Sequence, residues 1–123
     1  MQFIKLKYLI IAMFFSSAMY GQNFYVSNKG NDKNNGSITS PVASLTAVQK
    51  LVRNYKPKNT KGITVNIAPG QYNLTSTFVL NEQDSGQAGK EITWQADKIG
   101  TVTITGGKNI QPSAFSKVKD ATI

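Results

Sequence analysis

From Gly62 onward the apolar residues of this chain alternate with polar ones, and that period of two is the strongest constraint on what it can fold into. Ile63, Val65 and Ile67 alternate with Thr64 and Asn66. Residues 77–80 (TFVL), 92–96 (ITWQA) and 101–105 (TVTIT) are further runs of β-branched and aromatic character. Turn residues separate them, at Ala68-Pro69-Gly70, Asp84-Ser85-Gly86 and Gly106-Gly107. Two or three short strands every ~20 to 30 residues are what a coiled β-solenoid requires. A β-sandwich or a partial barrel has the same strand spacing.

Upstream of Gly62 the period is different. Leu45, Val48, Leu51, Val52 and Tyr55 fall on one helical stripe. Ser44 is placed to cap the helix, and Pro57 ends it. That stripe reads as a packing face, not a ligand site. Before it, residues 23–27 (NFYVS) form a short β-rich run, and residues 28–40 (NKGNDKNNGSITS) form a polar loop. Asn31, Asp32, Asn34 and Asn35 supply oxygens that suit calcium. With Gly36 as the sixth position of an EF-hand loop, however, Lys33 stands where an oxygen ligand belongs. The loop therefore reads as a turn.

The first 21 residues read as a secretory leader. Lys5 and Lys7 give it a basic start, an apolar run covers residues 9–15, and small residues follow at Ser16, Ser17 and Ala18. A membrane span needs ~20 apolar residues, more than this run supplies. Cleavage is expected after Ala18 or Gly21. The remainder carries twelve basic against six acidic residues, a net +6. Its lack of Cys excludes a disulfide framework, so an exported chain of this kind relies on packing alone. Lacking both Cys and His, it can form neither a thiolate or imidazole zinc site nor a Ser-His-Asp or Cys-His nucleophile system.

Acid/base chemistry is left to carboxylates, Lys, Arg and Tyr. The acids are Asp32, Glu82, Asp84, Glu91, Asp97 and Asp120. A glycosidase pair must face across a cleft at ~5 to 10 Å. Glu82 and Asp84 share one polar loop and read as a solvated turn, and Asp97-Lys98 and Lys119-Asp120 read as surface charge. Trp94 and Tyr72 have flat faces that suit a sugar ring. Period two places Trp94 with Ile92 and Ala96 on the inward side. The sequons at Asn35 and Asn73 are permissive only. Lys50, Arg53, Lys56, Lys58 and Lys61 cluster at the end of the helix, where cations complement the helix dipole. Nucleic acid is not an expected partner of an exported protein, whereas an acidic polysaccharide is compatible with this patch.

FYVSNKGNDKNNGS, SPVASLTAVQKLV and ITVNIAPGQYNL, in that order, resemble the N-terminal entry of right-handed parallel β-helix proteins of the pectate-lyase-like superfamily. The likeness continues through DSG…ITWQA and VTITGGKNI, covering Phe24 to about Ile110. It implies an all-β, right-handed parallel β-helix, with a capping helix and the first two or three coils. Residues 1–21 are then the leader, 22–61 the entry strand, loop and capping helix, and 62–123 the first coils. It also implies a secreted bacterial polysaccharide-degrading protein, a glycoside hydrolase or a polysaccharide lyase, with polysaccharide or glycan as partner of the parent protein and no stable membrane insertion after cleavage. Such proteins have many coils and carry their catalytic residues, and any calcium, on central ones. The chain is accordingly expected to be an N-terminal piece of a longer protein, inactive alone. Residues 117–123 are expected to begin a further strand. No catalytic, cofactor-binding or metal-binding residue is carried over from the resemblance, and no cofactor is expected. The alternatives are a non-catalytic secreted β-solenoid module that binds glycan or acts as an adhesin, and a small structural β-sandwich.

Overall fold

A computed structural model describes residues 21–119. The expected leader lies outside them apart from Gly21, and so do Asp120 and the last residues of the strand expected at 117–123.

Strand β1 (Gln22–Val26) is followed by a long loop and helix α1 (Leu45–Tyr55), which a 3-10 turn at Lys56–Lys58 extends. Then come β2 (Ile63–Ile67), β3 (Gly70–Asn73), a 3-10 turn at Glu82–Asp84, β4 (Ile92–Ala96), β5 (Val102–Thr105) and a 3-10 turn at Pro112–Ala114. β1, β2 and β4 form one sheet in that order, and β3 and β5 form a second. Every pairing is parallel.

The register explains which residues are inside. Phe24 lies beside Val65 and Val65 beside Trp94, while Val26, Ile67 and Ala96 make the next row. Side chains alternate across a strand, so these rows share one face. Helix α1 lays Leu45, Val48 and Val52 on the same core, which also takes in Val42 and Tyr72. The opposite face of the sheet is polar. There Gln95 Nε2 donates to Asn66 Oδ1 at 2.9 Å, and Asn66 Nδ2 donates to Asn23 Oδ1 at 3.4 Å.

The architecture departs from the all-β, right-handed parallel β-helix that the resemblance implies. The described residues form a mixed α/β arrangement of two parallel sheets and a packed helix, and no solenoid is seen among them. Helix α1 is no mere lid, because its apolar stripe supplies a layer of the core. The strand expected at residues 77–80 is also absent. The Val79 carbonyl accepts from Gln49 Nε2 at 2.7 Å and joins no ladder, and Val79 and Leu80 are more than half exposed. A strand not expected, β3, follows Pro69 instead. Residues 117–119 carry no regular structure.

The long loop is fixed by Asp32. Its carboxylate accepts from the Ala43 and Ser44 N–H groups and from Ser44 Oγ, each at 2.8 Å. Ser44 Oγ in turn accepts from Ala47 N and so caps α1, as its position in the sequence predicts. Burial opposes ionisation of Asp32, but the Ser44 and Ala43 hydrogen bonds outweigh it and hold the carboxyl below its ordinary range. Asn31, Asn34 and Asn35 likewise bond within the loop, to Lys33 N, Pro41 O and Ser37 N. We expect Asp32→Ala to lower stability by about 1 to 2 kcal/mol, since it removes the group that organises the helix cap. Urea unfolding followed by the helical circular dichroism signal measures this, and an unchanged midpoint would contradict it.

Candidate functional site

A cleft of about 530 Å³ opens between the C-terminal end of α1 and the loop that leads into β4. Arg53, Lys56, Pro57 and Asn59 line it from the helix side, and Gln83, Ser85, Gly86, Gln87, Lys90 and Ile92 from the loop side. The helix reaches this place because its apolar stripe is pinned to the sheet, which turns Arg53 and Lys56 toward residues 82–91.

Asp84 holds the two walls together. Arg53 Nε donates to its Oδ1 at 2.8 Å and Arg53 Nη2 to its Oδ2 at 2.7 Å. Gln49 Nε2 and the Asn81 N–H also donate to Oδ2, at 3.1 and 2.9 Å. The Asp84 side chain is 2% exposed, against 29% for Arg53. A two-point fork on a buried carboxylate is among the stronger polar contacts available to a protein. The Arg53 hydrogen bonds hold the Asp84 carboxyl down at about 2, against the opposing effect of burial. The solvated turn expected of Glu82 and Asp84 is therefore corrected for Asp84, whose carboxylate is spent inside the protein.

Lys56 ties the loop at a second point, donating from Nζ to the Glu82 carbonyl at 2.9 Å and the Gln83 carbonyl at 3.1 Å. Asn59 Nδ2 holds the Lys90 carbonyl at 3.2 Å. The loop then doubles back, with Lys90 N donating to Gln87 O at 2.8 Å. Gly86 makes this possible. A Cβ there would fall 2.8 Å from Glu91 Cα and from Ile92 N, closer than side chains tolerate. The Glu91 carboxylate accepts from Gly89 N at 2.8 Å, and its own N–H and that of Gly89 keep its proton affinity low.

The basic cluster read from sequence is thus divided by the fold. Arg53 and Lys56 join the cleft, while Lys50, Lys58 and Lys61 do not line it. The candidate stacking residues stay out of it. Tyr72 is buried, with its hydroxyl donating to the Ala68 carbonyl at 2.8 Å. Trp94 sits in the inward row, edge-on to Phe78 with ring centres 5.7 Å apart. Lys90, Gln83 and Gln87 were not singled out in the sequence, and only the doubling-back of the loop brings them to the helix end. Among the described residues no group of three acidic side chains is placed to hold a metal ion. No helix of the described residues is long and apolar enough to cross a membrane.

No family model matches the sequence, and no curated protein matches it. Among solved structures the chain is similar to part of a glycoside hydrolase, with a TM-score of 0.65 and 25% identity over 75% of this chain and 17% of that one. It is also similar to part of a rhamnogalacturonan lyase, with a TM-score of 0.48 and 28% identity over 68% of this chain and 21% of that one. The chain thus spans a small part of the length of each of these proteins.

Proposed function

We propose that these residues are a glycan-contacting part of an exported carbohydrate-active protein of glycoside hydrolase type, with bond cleavage carried out by residues elsewhere in that protein. The observation that carries the reading is the fold likeness to part of a glycoside hydrolase. The leader read at residues 1–21 supports export, to the periplasm, the outer surface or the medium of a bacterium.

The acids of this region support contact over cleavage. Glycoside hydrolysis needs two carboxyl groups facing a substrate. Asp32 and Asp84 are committed to the protein's own N–H and guanidinium groups, the Glu91 carboxylate accepts from the N–H of Gly89, and among the described residues Glu82 and Asp97, though exposed, do not line the cleft. Cations, amides and an apolar floor line the cleft instead, and such a mixture suits the hydroxyls and apolar faces of sugars.

Incubating the 123-residue protein with a panel of immobilised polysaccharides tests this. Retention on at least one polysaccharide, with no new reducing ends or unsaturated ends released, is the expected result. Failure to bind any member of the panel would overturn glycan contact, and release of new ends would overturn the division of labour.

A further inference from the structure

The three cations of the cleft are not equivalent. Arg53 is neutralised, because both its bonded nitrogens face the Asp84 carboxylate. Lys56 is held by two carbonyl oxygens, which fix its ammonium in place without cancelling its charge. The Lys90 ammonium makes no hydrogen bond among the described residues, although its backbone is pinned by Asn59 and Gln87. Among the described residues no carboxylate side chain lines the cleft to offset Lys56 and Lys90. The nearest loop acid after Lys90, Glu91, directs its carboxylate to the Gly89 N–H.

Pro57 and Ile92 supply the apolar part of the wall, which limits hydration of whatever enters. Gln83 and Gln87 line the cleft, and their side-chain amides make no hydrogen bond among the described residues, which leaves their NH2 groups available to a ligand. Two uncancelled ammonium groups and two amide donors around a partly apolar hollow select for negative charge on oxygen. We propose that the cleft is an oxyanion site, taking a sulfate, phosphate or carboxylate group borne by its ligand, with Lys56 and Lys90 as the contacting cations. This deepens the glycan-contact reading and rests on it for the ligand's body, not for the anion.

The test is a titration of the 123-residue protein with sodium sulfate, sodium phosphate and sodium acetate. Ionic strength is held constant with sodium chloride, and backbone amide chemical shifts are followed. Saturable shifts at Lys56, Gly86, Gln87 and Lys90 are expected with at least one of the three anions. Lys90→Gln is expected to weaken binding by about fivefold or more, and Lys56→Gln with Lys90→Gln to abolish saturation. Lys98→Gln, in the turn before β5, is expected to change nothing. Because the Lys90 ammonium makes no hydrogen bond or ion pair among the described residues, Lys90→Gln should unfold at the wild-type temperature, which separates lost binding from lost structure. Shifts that grow linearly with every anion, or undiminished sulfate, phosphate and acetate binding in the double variant, would overturn the proposal. A parallel titration with a neutral cello-oligosaccharide separates the two readings. Neutral sugar bound in the cleft without anion binding overturns the oxyanion site and leaves glycan contact standing. Anion binding with no oligosaccharide or polysaccharide bound does the reverse.

Discussion

Asp84→Asn is expected to destabilise the protein by about 2 to 3 kcal/mol, which for a domain of this size lowers the unfolding temperature by roughly 10 to 20 °C. The substitution keeps the shape of the side chain but removes its charge. Arg53 is then left with a positive guanidinium and a poorer acceptor, and one of the donors from Gln49, Arg53 and Asn81 N faces an NH2 group. Breaking a fully buried pair costs more, but the partly exposed Arg53 recovers some hydration. The loss should appear first in the loop, as faster amide hydrogen exchange at Asp84 and Ser85, whose N–H groups close the 3-10 turn. Wild-type exchange there in the variant would show that Asp84 does not hold the loop.

The same residue sets an acid limit. Its carboxyl titrates at about 2 in the folded chain, below the ordinary 3.8. A depressed value means the unfolded chain takes up the proton more readily. The contribution of Asp84 is complete above the ordinary value and is lost as the pH falls from about 4 toward 2. Stability measured across that window should fall less steeply in Asp84→Asn than in the wild type. Equal slopes would mean that the bond to Arg53 does not govern this titration.

Phe24→Ala has the larger expected cost, about 3 to 5 kcal/mol. Phe24 is 7% exposed, sits beside Val65 in the register and meets Tyr55 of α1 edge-on at 6.0 Å. It thus joins sheet to helix, and its removal leaves a hollow between two elements that cannot close without moving α1. Against a total of roughly 5 to 15 kcal/mol for a domain, the variant should be partly unfolded at ambient temperature. Trp94, in the same row but on the outer strand β4, is only half-buried, and Trp94→Ala should cost less than Phe24→Ala. Urea midpoints for the two variants measure the gradient. A smaller cost at Phe24 than at Trp94 would place the core elsewhere than between β1, β2 and α1.

The elements whose stability comes from local pattern were legible in the sequence. The stripe from Leu45 to Tyr55 with Ser44 before it is a helix and its cap, and the alternation at 63–67 and 92–96 gives two strands. What failed depends on pairing at a distance. Residues 77–80 have the composition of a strand, but Gln49, thirty positions earlier, takes the Val79 carbonyl. β3 is a strand because it finds β5, not because Gly70 and Asn73 favour one. The inference of stacked all-β coils failed because strand spacing says nothing about whether a helix is a lid or a layer. Half of the candidate site was legible, since Arg53 and Lys56 stand out as charges at a helix end. The other half was not. The spacing of Arg53 and Asp84, separated by 31 residues, has no periodicity to betray it, and Lys90 enters the cleft only through the turn that Gly86 and Gly89 permit.

Glycan contact, as proposed, falls on the wall between the end of α1 and residues 82–92. The most direct measurement is an amide chemical-shift map of the 123-residue chain with an oligosaccharide prepared from a polysaccharide that retains it. The expected map centres on Lys56, Asn59, Gly86, Gln87 and Lys90. A map centred on Asn23, Thr64 and Thr93, across the polar face of the sheet, would contradict it.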